Sequence, residues 1–152
     1  MKRKFGSLIT ILLTLIISVC ALVACQKDGK TKAVTLEKVT ETMVVMKVSE
    51  AEENATALSA LTKLKEDGLI EFVSMDSTYG AYIVSINGKE EIASGNSGYS
   101  WMLYTSDLEV ASTEFGSVEY NGETYGQASL GASLLVVKEG HYYIWSYTEW
   151  SY

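Results

Sequence analysis

The sequence predicts an α+β fold: a mostly β domain with one helix packed on it. Three observations predict it. Only one stretch, Ala57, Leu58, Leu61 and Leu64, places apolar residues at helical spacing. From Leu69 onward the apolar residues fall in short runs separated by turn signals. Two of those signals, Asn87-Gly88 and Asn121-Gly122, are the pair most favoured in two-residue hairpins. The chain contains no proline, so Gly, Asn, Asp and Ser must make its turns.

The elements follow in order. Leu36 to Val48 is rich in Val, Thr and Met and predicts two short strands or one bent strand, with Val44, Met46 and Val48 on one face. The helix comes next. Ser49 and Glu52 have capping-box spacing, and Asn54 or Thr56 are equally suitable caps. Gly68 is a natural stop. Leu69–Met75 and Ala81–Ile86 are strands, and Lys89–Ala93 returns after Asn87-Gly88. Ser94 to Gly98 has the composition of a mobile loop. Tyr99–Thr105, Leu134–Val137 and Tyr142–Thr148 complete the strand set.

The first 25 residues carry a location signal. Lys2, Arg3 and Lys4 precede an uncharged apolar run, Leu8 to Ala24. The run ends in Leu22-Val23-Ala24-Cys25, the form of a lipoprotein signal: a long apolar residue, a small residue, then cysteine. The run is shorter than the roughly 20 residues of a spanning helix, the competing assignment. Residues 1–24 are therefore expected to be a cleaved signal. Cys25 is expected to carry lipid, residues 25–35 to form a tether, and residues 36–152 to form the domain. The lipid would hold the domain on the extracytoplasmic face of the cell membrane.

Composition narrows the function. The whole chain has 12 basic and 19 acidic residues. Three of the basic ones leave with the signal, so the mature protein is distinctly acidic. That balance argues against nucleic acid and against adhesion to anionic lipid. Cys20 lies in the signal and Cys25 is acylated, so no thiol remains for catalysis, a disulfide or a metal. No phosphate loop or nucleophile elbow occurs. His141, the only histidine, has no partners in sequence for a triad or zinc site. The cluster of Glu50, Glu52 and Glu53 is expected to be a solvated helix start. No catalytic residue, metal or resident cofactor is expected.

Four stretches in order bear a family resemblance: Asn54–Leu61, Thr78–Gly88, Gly98–Tyr104 and Gly140–Thr148. Together the sequence resembles the transcobalamin-like C-terminal domain family over nearly all of the mature chain. The resemblance implies a β-grasp-like fold and a domain that binds a soluble ligand without transforming it. It makes cobalamin or another corrinoid the sharpest ligand expectation. The helical barrel that completes such carriers has no counterpart here. Thr105-Ser106-Asp107 and Gly140-His141 depart from the family pattern near loops.

Candidate binding residues are aromatic and late in the chain. On the last strand Tyr143, Trp145 and Tyr147 share one face, and Tyr142, Ile144 and Thr148 the other. Trp101 and Leu103 share a face, as do Ser100, Met102 and Tyr104. Tyr99, Ser100, Trp101, Tyr104, Tyr142, Trp145 and Trp150 are the expected ligand contacts, since Tyr and Trp combine contact area with a polar tip. Packing of the mid-strand aromatics into a core is the competing expectation. The alternative function is an envelope protein–protein interaction module, with an exposed sheet edge pairing with another chain.

Overall fold

A computed structural model describes residues 29–152. The predicted signal, Cys25 and the start of the tether lie outside them. The elements are β1 (Thr31–Val39), β2 (Met43–Ala51), α1 (Ala57–Glu66), β3 (Phe72–Met75), β4 (Tyr82–Ile86) and β5 (Lys89–Glu90). They continue with β6 (Ile92–Ser94), β7 (Ser97–Thr105), β8 (Ala111–Tyr120), β9 (Glu123–Ala128) and β10 (Tyr142–Ser151). One sheet runs β1-β2-β10-β7-β9-β8, with β6 also paired to β7; a second runs β3-β4-β5. Every ladder is antiparallel.

Strand takes 57% of the described residues and helix 8%. The architecture is therefore mostly β and sandwich-like, which corrects the α+β, β-grasp-like expectation. The reason is one of reach. Ten helical residues extend about 15 Å. Six strands side by side span roughly 24 Å. The helix cannot cover the large sheet, so the small sheet and the segment 131–137 cover the rest. The resulting core unites Val44, Met46, Val48, Trp101, Leu103, Tyr143 and Trp145 of the large sheet with Ala57, Ala60, Leu61 and Leu64 of α1. Ile83 and Ile86 of β4 and Leu135 of the covering segment close it.

Local chemistry explains most boundaries. Thr56 caps α1: its side chain accepts from the Ser59 amide, and Ser59 Oγ accepts from the Thr56 amide. Thr56, rather than Ser49 or Asn54, is thus the cap. Both Asn-Gly turns have positive φ at each residue, 49° and 80° at Asn87-Gly88 and 51° and 79° at Asn121-Gly122. That geometry matches the twist of the strands they join.

Other expectations are corrected. The tether enters the sheet at Thr31. Lys89–Ala93 is not one strand: Lys89–Glu90 pairs in the small sheet and Ile92–Ser94 in the large one. Ser94–Gly98 is not a loop but a tight hairpin, with Ser94 opposite Ser97. Gly98 is inside β7, where a Cβ would lie 2.0 Å from Ile92 O; the glycine serves close packing. Leu134–Val137 makes no strand and only one bridge, Thr56↔Val136. Leu134 and Leu135 instead turn back on the Gly131 carbonyl.

Candidate functional site

Strands β7 and β10 carry the expected binding residues, and their register assigns each a face. Trp101 stands opposite Tyr147, Leu103 opposite Trp145 and Thr105 opposite Tyr143. Tyr99, Trp101 and Trp145 therefore point to the face under α1. Ser100, Tyr104, Tyr142 and Trp150 point to the opposite face. The seven residues are divided by the sheet and do not converge on one site.

Burial divides them further. Trp145 is 1% exposed, Tyr104 2% and Trp101 4%. The polar tips of two are bonded internally: Trp101 Nε1 donates to Lys89 O at 2.9 Å, and Tyr104 OH lies 3.2 Å from Thr148 Oγ1. Tyr143 is fully buried and accepts the Lys138 amide at 2.8 Å; burial pushes its phenol above the ordinary value. These aromatics are packing elements.

The remaining four reach solvent in three separate places. Tyr99 stacks on Tyr147 with ring centres 5.5 Å apart, and Lys89 Nζ lies 4.7 Å from the Tyr147 ring. Trp150 Nε1 donates to Ser100 Oγ at 2.9 Å. Tyr142 meets Tyr120 and Tyr125 at 6.0 Å each, with Lys47 Nζ 5.2 Å from its ring. Tyr120 and Tyr125 belong to the hairpin β8–β9, which folds over this second face.

The openings are modest. Between Tyr99, which pairs with Ile92, and Tyr104, which pairs with Gln127, β7 has no ladder partner on that side among the described residues. A cleft of about 200 Å³ lies over this gap, lined by Tyr82, Trp101, Met102, Gln127 and Trp145 among others. A groove of about 340 Å³ separates the start of β1 from α1 and is rich in hydroxyls, Thr31, Thr56, Ser59 and Thr62. A third of about 470 Å³ lies between Val39–Glu41 and the Asn87-Gly88 turn. Small-molecule sites commonly enclose about 300–1,000 Å³ and are mainly apolar and aromatic. The only one of these three with tryptophan walls is the smallest.

The polar groups nearest to a catalytic arrangement are Ser106 and His141. Ser106 Oγ lies 3.1 Å from His141 Nδ1 and accepts the Tyr142 amide at 3.0 Å. The neighbouring carboxylate, Asp107, is engaged elsewhere. Its Oδ1 accepts the Glu109 amide at 3.1 Å. Its Oδ2 lies 2.8 Å from Lys138 Nζ, in ion-pair contact but off the direction of a hydrogen bond. Burial raises the Asp107 pKa, but the Lys138 ammonium and the Glu109 amide outweigh it and hold the carboxyl below its usual range. The Lys138 ammonium is held correspondingly above its ordinary value by Asp107 and Glu109. This cluster fastens the segment 131–138 over the core. Among the described residues no group of three His, Cys, Asp or Glu side chains is placed to hold a metal.

The outer strands offer a different kind of surface. β1 carries Lys32, Glu37 and Lys38 and its pairing is irregular at three points. β8 carries Glu114 and Glu119 and its pairing breaks between Ser112 and Ser117. Charge and irregularity both blunt an edge against pairing. β3, Phe72-Val73-Ser74-Met75, has no charged residue, and Val73 and Met75 are 56% and 54% exposed. Sequence inspection passed over this edge; the signal was an uncharged strand bounded by Glu71 and Asp76. It also passed over Tyr120 and Tyr125, although alternation of Val118 and Tyr120 before Asn121-Gly122 marks a hairpin.

No family model, curated protein or solved structure matches this chain.

Proposed function

We propose that this protein is a lipid-anchored module on the extracytoplasmic face of a membrane, and that its domain binds a protein partner without catalysis. The anchor rests on Leu22-Val23-Ala24-Cys25, with lipid on Cys25. One observation carries the choice of partner: the tryptophans and tyrosines suited to a small-molecule platform lie in the core or on opposite faces, while a sheet edge stays open. A large planar ligand such as a corrinoid is best held in a concave, mainly apolar and aromatic pocket. The split aromatics weigh against it, as does the lining of the two larger openings, which contains no tryptophan or tyrosine.

The test combines three measurements on full-length protein extracted from its membrane. Mass spectrometry is expected to find a diacylglyceryl-modified amino terminus at Cys25. Cross-linking in intact cells is expected to trap a protein partner. Titration with cyanocobalamin is expected to leave the visible spectrum unchanged. An unmodified terminus would refute the anchor, and saturable cobalamin binding without a trapped partner would refute the choice of ligand.

A further inference from the structure

We propose that β3 is the docking edge, and that it receives an extended apolar segment flanked by basic residues from another protein. This rests on the protein-binding function above and names the chemistry of the partner.

Backbone geometry supplies the first argument. β3 pairs only with β4, so its other side is a free sheet edge among the described residues. Glu71 uses both backbone groups on Asn87: its N–H donates to Asn87 Oδ1 and its carbonyl accepts from the Asn87 amide, each at 2.8 Å. Strand alternation then turns the backbone groups of Phe72 and Ser74 outward. The Phe72 carbonyl agrees, since its contact is the exposed Lys65 ammonium at 3.4 Å. The irregularity in the β3–β4 ladder falls where the partner of Val73 is Ser85 and that of Ser74 is Ile83. The extra residue is therefore in β4, and β3 itself stays regular. Outward N–H and C=O groups at every second residue are what an added strand pairs with.

Side chains supply the second argument. Val73 and Met75 project to the same exposed face. An incoming strand gains apolar neighbours there at alternate positions.

Charge selects the occupant. Glu71 and Asp76 bracket the strand. Glu71 is paired with Lys65 at 2.8 Å and remains largely exposed; no ion pair engages Asp76 among the described residues. If a second copy paired antiparallel with Phe72 opposite Met75, Glu71 would stand opposite Asp76 at both ends. Like charges directly opposite are unfavourable. A strand with Lys or Arg at its ends meets Asp76 at one end and, at the other, Glu71, which it shares with Lys65.

The experiment uses the full-length chain in detergent and a fluorescent synthetic peptide of alternating valine and threonine with two lysines at each end. Anisotropy is expected to show saturable binding that weakens with salt. A peptide of equal charge with proline in the centre of its apolar run is expected not to bind. Ser74→Pro removes an outward N–H, which edge strands tolerate, and is expected to weaken binding by at least about tenfold. Asp76→Lys, which leaves the backbone intact, is expected to invert the preference toward a glutamate-flanked peptide. Equal binding of the proline peptide, full binding to Ser74→Pro, or self-association of the chain through β3 would each overturn the proposal. A cross-linked cellular partner that is retained by Ser74→Pro would overturn β3 as the site while leaving the protein-binding function standing.

Discussion

The two faces of the large sheet are built from the same residue types and reach different ends. The first face buries Val44, Met46, Trp101, Leu103, Tyr143 and Trp145 under a helix, a second sheet and a fastened segment. The second face packs Val45, Tyr104 and Ile144 against Tyr125 of a single covering hairpin, with Met102 and Tyr142 of the sheet and Tyr120 of the hairpin left half-exposed. Alternation along β7 and β10 sends equivalent aromatic side chains both ways. What differs is the cover. An aromatic strand therefore says little about binding until the layer above it is known.

Five substitutions break or sharpen this contrast. Trp145→Ala empties the middle of the first face and is expected to lower stability by about 3–5 kcal/mol. Tyr125→Ala on the second face is expected to lower it by only about 1–2 kcal/mol, because a lone hairpin can settle into the space. Urea unfolding of both variants measures the difference, and equal losses would erase the distinction between the faces.

The fastening of the first face adds a pH test. Asp107 is buried and its folded pKa lies below the ordinary carboxylate value. Its contribution is therefore present above its unfolded pKa of about 3.9 and is lost as pH falls through the lower folded value. Acid unfolding of the native chain is expected to steepen in that window. Asp107→Asn removes this component and flattens the profile, but destabilises at neutral pH by about 1–3 kcal/mol, because the buried side chain loses its charged contact with Lys138, which keeps only Glu109. An unchanged acid profile would show that packing and backbone hydrogen bonds hold the segment without Asp107. Thr56→Ala removes the α1 cap and is expected to cost about 1 kcal/mol by thermal or urea unfolding. At the other extreme, Val73→Lys on the open edge is expected to change stability by less than about 0.5 kcal/mol. A large loss there would mean that β3 is part of the core.

Local signals in the sequence mark much of this structure. The helix and its Gly68 stop, the faces of β2, β7 and β10, and both Asn-Gly hairpins follow from spacing and turn chemistry. What is not legible is set by distance in the chain. Nothing local tells Ile92 to leave the small sheet and join β7, or Leu134–Val137 to meet the start of α1 through a single bridge in place of a strand. The number of strands in one sheet, against the length of a single helix, decides the fold class, and that depends on pairings such as β2 with β10. For the candidate site, the residues with obvious chemical appeal, Trp101, Tyr104 and Trp145, are interior. The plain segment Phe72–Met75 is exposed because no other strand reaches it.

Hydrogen–deuterium exchange on the detergent-extracted full chain, with and without the lysine-flanked peptide, addresses the central claim most directly. Added protection at the Phe72 and Ser74 amides, with exchange across Tyr99–Tyr104 and Tyr142–Trp150 unchanged, is the expected outcome. Protection along those aromatic strands with none at β3 would contradict it.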